Sequence, residues 1–382
     1  MKKLTTALAA LTLSAMPALA TQGVTDTEVV IGSHTDLSGP FSAFGAPAVK
    51  AAQLYFDKIN ADGGVHGRTI KLIVEDTSYQ VPRAVQAANK LINRDKIFVM
   101  FGSLGTPHNL AAFKLQEAKN IPNFNPLSGA RQMLEEPIDL KFASYASYYD
   151  SIRQGVRYMN KDEGSTTVCP MYIPSDFGKE IQQAAKDEAE ALGMTYAAET
   201  THKPEETDYV GALTKLKAAG CDLIPTALSV RGTITVVATA KKLGWNEVKF
   251  MGSSAAFHTA VAKVPGGVTE GFFVAAGWKD IEERAATPEI AAWIKSYSEA
   301  TGEALPSSGA LLGRIGAEAF VRALEAAGRD LTTESFIAAV EGLDYNDVIG
   351  GSPINFGADH QGSEITYISK IEGGSWTVVA ER

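Results

Sequence analysis

After its first twenty residues this 382-residue chain has no apolar run long enough to span a bilayer. Cysteine is nearly absent: Cys169 and Cys221 are the only two, too few to be a disulfide framework for so large a chain. Each opens or interrupts an apolar, strand-like run, which favours buried free thiols, although export would also permit a bridge. The six histidines (His34, His66, His108, His202, His258 and His360) include no pair at the helical spacing of a zinc protease. No G-x-S-x-G elbow, Walker loop or G-x-G-x-x-G turn occurs, and neither cysteine has the surroundings of a nucleophile. Only a catalytic site dispersed through the fold would escape these exclusions; neither an enzyme nor a cofactor is expected. Basic residues also fall short. Without Lys2 and Lys3, 33 of them face 44 acidic ones, a net charge of −11, which argues against nucleic acid or an anionic membrane surface as a partner.

What the chain does contain begins with a leader. Lys2 and Lys3, an apolar stretch over residues 4–16 and the small-x-small tripeptide Ala18-Leu19-Ala20 read as a secretory signal peptide cut after Ala20. The product is then expected to be soluble and exported. About 360 residues remain, more than one ordinary core holds and enough for two domains. Apolar strands at residues 28–33, 69–75 and 97–101 alternate with helical stripes such as Val49, Ala52, Phe56 and Ile59. The alternation restarts with strands at 166–173, 194–199, 222–228 and 248–251, and residues 266–278 read as one more extended strand. Such patterns predict an α/β protein of two doubly wound parallel-sheet lobes, with a ligand crevice between facing strand ends. Three helical stripes follow, and a hairpin across Gly373-Gly374 closes the chain.

One turn stands out. Residues 97–101 form a strand that runs into Gly102-Ser103-Leu104-Gly105-Thr106-Pro107, with Thr106 placed as an N-cap and Pro107 at the first helical position. A helix start carries amide hydrogens without internal partners and a partial positive charge, so a carboxylate or carbonyl oxygen can dock there without a lysine.

Several stretches in order resemble the type I periplasmic solute-binding proteins of ABC importers, of the branched-chain amino acid (leucine-binding) kind. They are Leu37-Ser38-Gly39-Pro40 with Gly45, Ile59-Asn60-Ala61-Asp62-Gly63-Gly64-Val65-His66-Gly67-Arg68, Glu75-Asp76, Lys90-Leu91-Ile92 and the turn above. Ser175-Asp176-Phe177-Gly178, Gly351-Ser352-Pro353-Ile354-Asn355-Phe356 and Gly373-Gly374-Ser375-Trp376 continue the series. The resemblance implies lobes joined by a three-segment hinge: residues 24–143 with 280–347, and 144–279 with 348–382. It implies a ligand carboxylate on Thr106, helped by Ser103 and the amides of Leu104 and Thr106, with aromatic rings from Phe44 and Phe177. Leu127, Ser128 and Gly129 occupy the next strand-end loop, where amino acid binders have a carbonyl and a threonine; here the threonine is missing. The acidic residue expected to hold a ligand ammonium falls near Ser253 or Ser254, and neither is acidic. Burying an ammonium without acceptors costs several kcal/mol, so amides and aromatic or aliphatic carboxylates stand beside amino acids as expected ligands. Arg231, at a helix start on the crevice side, would pair with a second acidic group. The expected partners are this small molecule and a membrane permease, in the periplasm; the alternative is a sensory subunit that docks a membrane receptor.

Overall fold

Short apolar strands are stabilised by pairing side by side and being covered by helices on both faces, and this chain does so twice. The computed structural model describes residues 21–382; the expected signal peptide lies outside them. The first unit runs β1 (Glu28–Thr35), α1 (Ser42–Ala61), β2 (Thr69–Asp76), α2 (Val81–Asn89), β3 (Val99–Phe101), α3 (Thr106–Glu117), β4 (Asn123–Phe124) and β5 (Lys141–Phe142). Its strands are all parallel, in the order β2-β1-β3-β4-β5.

The second unit follows with α4 (Tyr148–Lys161), β6 (Thr167–Val168), β7 (Met171–Tyr172), α5 (Asp176–Ala191), β8 (Thr195–Tyr196) and β9 (Thr200–Thr201). It continues through α6 (Val210–Ala218), β10 (Leu223–Ala227), α7 (Val230–Lys242), β11 (Lys249–Gly252), α8 (Thr259–Ala262) and β12 (Phe273–Ala276). The chain then returns to the first unit with α9 (Pro288–Thr301), α10 (Ser308–Ala327) and α11 (Thr333–Glu341). It makes an antiparallel ribbon from β13 (Asp344–Asp347) and β14 (Ser352–Asn355), and ends in β15 (Tyr367–Glu372) and β16 (Ser375–Glu381). This last hairpin extends the second sheet, antiparallel to β12, giving the order β16-β15-β12-β11-β10-β6-β8 with β7 and β9 alongside. The polypeptide therefore passes between the sheets three times: after β5, after β12 and before β15.

Three local expectations need correction. The strand over 166–173 is broken at Pro170, which has no amide to donate to a ladder, into β6 and β7. The extended reading of 266–278 shrinks to β12, because Gly266, Gly267 and Gly271 take left-handed conformations and build turns instead. Ile354 and Phe356, assigned by the resemblance to the second lobe, bury in the first. Phe356 lies 6.0 Å from Phe124 and 6.3 Å from Phe142, ring centre to ring centre, within a cluster that includes Phe56, Phe101, Phe320 and Phe336.

Cys169 and Cys221 are not free thiols but a disulfide. The physical reason is that β6 and β10 are neighbours in the second sheet. Cys169 follows β6 and Cys221 precedes β10; both lie just outside the paired residues, where the chain brings their Cα atoms to 5.9 Å, within bridging range. The bridge closes a separation of 52 residues. Replacing both cysteines by alanine is expected to cost about 4 kcal/mol through the freed unfolded chain. A lower urea midpoint would register this; an unmoved midpoint would contradict it.

Candidate functional site

The facing strand ends leave a cleft of about 780 Å³, measured to its open mouth. From the first lobe it is lined by Phe41, Phe44, Tyr79, Leu104, Gly105, Thr106, Leu312 and the loop 125–129. From the crossings and the second lobe come residues 143–146, Tyr148, Phe177, Ser254, Ala255 and Trp278. Eight of the ten residues singled out from sequence thus meet in one place: Phe44, Leu104, Thr106, Leu127, Ser128, Gly129, Phe177 and Ser254. Two do not. Ser103 is fully buried behind the wall, its Oγ accepting the His34 amide at 3.2 Å and its carbonyl accepting the Asn109 side chain at 2.9 Å. Arg231 is exposed and outside the cleft. The cap of α7 is Ser229, whose Oγ accepts from Gly232, so Arg231 falls on the outer helix face.

The start of α3 differs by one residue from expectation. Gly105 is the N-cap residue, at φ 104°, Thr106 is the first helical residue and Pro107 the second. A side chain at 105 would place its Cβ 2.4 Å from His108 Nδ1, so only glycine fits this turn. Released from capping, the Thr106 hydroxyl pairs with Ser128 Oγ at 2.8 Å. The Leu104 amide is not available to a ligand, because it donates to the His34 carbonyl at 3.2 Å. Among the described residues the amides of Thr106 and His108 have no partner, and Pro107 has no amide. Two free N–H groups and a hydroxyl pair therefore mark the positive end of this helix.

Its surroundings are apolar and uncharged. Asp36 fixes the loop that delivers Phe41 by accepting the amides of Ser38, Gly39 and Phe41. Asp76 anchors the loop that precedes Tyr79, and hydrogen bonds from Ser38, Leu37 and Ser78 hold its carboxyl down at about 2 despite some desolvation. Burial keeps the Tyr79 phenol well above its ordinary value and pushes Tyr148 up to about 12, against the opposing pull of the Gly129 amide and Ser254 hydroxyl. Tyr79, Tyr148 and Trp278 escaped the sequence reading, since they arrive on a loop and on two interlobe crossings, although an aromatic and serine-rich stretch at 142–149 was visible. Among the described residues no group of three or more His, Cys, Asp or Glu side chains is placed to hold a metal.

The lobes touch. His258 Nε2 sits 3.1 Å from the Ala43 carbonyl of α1, while Nδ1 accepts the Ala260 amide at 3.0 Å. Phe41 meets Phe177 edge-on at 6.0 Å. The Arg131 amide donates to the Glu180 carboxylate at 2.9 and 3.1 Å, and its guanidinium stacks on Tyr149 at 3.4 Å. This is a closed arrangement.

A family model for periplasmic binding proteins matches residues 28–375. The Leu/Ile/Val-binding protein homolog 8 of Brucella abortus (strain 2308) is 22% identical over 352 residues, covering 89% of this chain and 87% of that protein. Among solved structures, the fatty acid ABC transporter substrate-binding protein from Thermomonospora curvata superposes with a TM-score of 0.83 at 25% identity, covering 94% and 93% of the two chains. A branched-chain amino acid ABC transporter protein from Thermus thermophilus with bound valine gives 0.85 at 23% identity, over 93% and 96%. Two doubly wound sheets, three crossings and a match along nearly the whole described chain carry one conclusion: the chain belongs to the periplasmic binding protein family.

Proposed function

We propose that this protein is the extracytoplasmic substrate-binding component of an ABC importer. It captures a small solute of the amino acid and carboxylate kind between its lobes and hands it to a permease in the membrane. The observation that carries the reading is the start of α3. The unpartnered Thr106 amide and the Thr106–Ser128 hydroxyl pair lie on a cleft walled by rings from both lobes, which suits a ligand oxygen held at the helix start with an apolar body behind it. Calorimetric titration against amino acids, amides and aromatic and aliphatic acids tests it. One class should bind with a fall in scattering radius as the lobes close. Silence across the panel, with no solute recovered from the native protein, would overturn the reading.

Two further results are expected. Thr106→Val keeps the shape but removes one hydroxyl, and should weaken a carboxylate ligand by about 1 to 3 kcal/mol; unchanged affinity would place the ligand elsewhere. The second concerns His258. Burial lowers its pKa, opposed by the Ala43 carbonyl. With Nδ1 accepting from Ala260 and Nε2 facing that carbonyl, the neutral ring satisfies both partners. Protonation would put a donor against the Ala260 amide. The histidine's contribution to closure is therefore present above the ordinary value of 6.5 and declines as pH falls below it. Affinity should weaken from pH 7.5 to pH 5.5, and His258→Gln should flatten that profile.

A further inference from the structure

We infer that the solute is a monocarboxylate with an aryl or alkyl body and no ammonium group. This rests on the importer reading above and narrows its ligand. What decides the ligand's charge is the set of charged groups, hydrogen-bond donors and acceptors around the cleft. Among the described residues, none of the 21 that line it is Asp, Glu, Lys, Arg or His. The nearby carboxylates are already engaged: Glu180 by the Arg131 amide, Asp36 by three loop amides, and Asp347 by the Tyr145 hydroxyl and the Gly350 amide.

Three uncharged acceptors that an ammonium could use already take a donor from the protein. The Leu127 carbonyl takes the Gly105 amide at 3.2 Å, the Gly129 carbonyl takes the Tyr148 amide at 2.6 Å, and Asn125 Oδ1 takes the Ser144 hydroxyl at 2.6 Å. Donors, by contrast, are in surplus. Among the described lining residues the Thr106 amide is unpartnered, and so is the indole Nε1 of Trp278, only 7% exposed. An indole N–H can only donate. An ammonium brings three more donors and meets no carboxylate in the lining, whereas a ligand carboxylate supplies acceptors to the unpartnered amide and indole. A second carboxylate would find no cation to pair with. The rings of Phe41, Phe44, Tyr79, Tyr148 and Phe177 then enclose an uncharged body.

The test uses matched pairs that differ only in the ammonium: L-phenylalanine against 3-phenylpropanoate, and L-leucine against 4-methylpentanoate. Each is titrated calorimetrically into the exhaustively dialysed chain of residues 21–382. In at least one pair the deaminated acid should bind tenfold or more tightly than its amino acid. Thr106→Val should weaken that acid, and Ser254→Asp should weaken it a hundredfold or more while improving the amino acid. Equal or tighter binding of the amino acids overturns the inference and leaves the importer reading standing. Failure of all four ligands also overturns it, and mass spectrometry of solutes extracted from the undialysed protein then decides the importer reading separately: a recovered solute sustains it and an empty extract does not.

Discussion

Gly313→Val should destabilise the protein by more than about 5 kcal/mol, at the severe end of single substitutions, because it inserts atoms where two backbones already touch. A Cβ at 313 would lie 1.9 Å from the Ala48 carbonyl oxygen, 2.5 Å from its carbon and 2.6 Å from its Cα. One turn earlier, a Cβ at Gly309 would lie 2.6 Å from the Phe44 carbonyl oxygen. Thus α10 and α1 cross through a seam of missing side chains, and no rotamer change relieves a clash with main chain. The helices must separate, and they carry Leu312 and Phe44 into the cleft. Ligand binding should therefore fall together with the urea midpoint. Gly211→Ala is the control. It lies within α6, where a Cβ meets nothing within 4 Å, and should be neutral or stabilising by up to about 1 kcal/mol. If both glycine variants behave alike, the seam does not exist as described.

That seam also shows where sequence reading stops. The stripe Val49, Ala52, Phe56 and Ile59 correctly announced α1, yet only Ala52 and Phe56 of it are buried. The face that meets α10 is built on Phe44, Ala48 and Ala51, mostly small residues that leave no periodic signal. The alternation of strands and helices was legible because period and length are local properties. The turn at Thr106 was legible too, at a strand end where a parallel sheet places its ligands, whereas Ser128 and Phe177 entered through the family resemblance; all three line the cleft. Arg231 was misread because chain position can be inferred locally, whereas the direction of a side chain around a new helix depends on where its cap falls. The cysteine pairing was missed for a related reason: it depends on β6 and β10 being neighbours in the sheet, which no stretch around either residue reports.

Acidification should remove about 4 kcal/mol of stability between pH 7.5 and pH 4, because of two histidines that sequence inspection dismissed for lacking metal-ligand spacing. His34 is the penultimate residue of β1 and His108 lies in the first turn of α3; both are buried, and no ring nitrogen of either has a hydrogen-bond partner among the described residues. Burial, helped by the nearby His108, lowers His34 to about 3, and burial lowers His108 to about 4. Both values lie below the ordinary 6.5, so the unfolded chain takes up protons that the folded chain refuses. Their contribution is whole above pH 6.5 and is lost as pH falls, at about 1.4 kcal/mol per unit for each ring. Asp280, raised to about 6 by burial, works the opposite way by taking a proton in the folded chain, and returns about 2 kcal/mol over the same window. Urea unfolding at pH 7.5, 5.5 and 4 reads the net loss, while the ring proton resonances of His34 and His108 should stay at their neutral positions down to pH 5. Ordinary titration near 6.5 would mean that the rings are hydrated. The functional consequence runs through Tyr79, a wall of the cleft whose ring centre lies 4.4 Å from that of His108. A charge on His108 would stand beside the helix start and call for water where Tyr79 packs, so the wall loosens and ligand affinity falls along with stability.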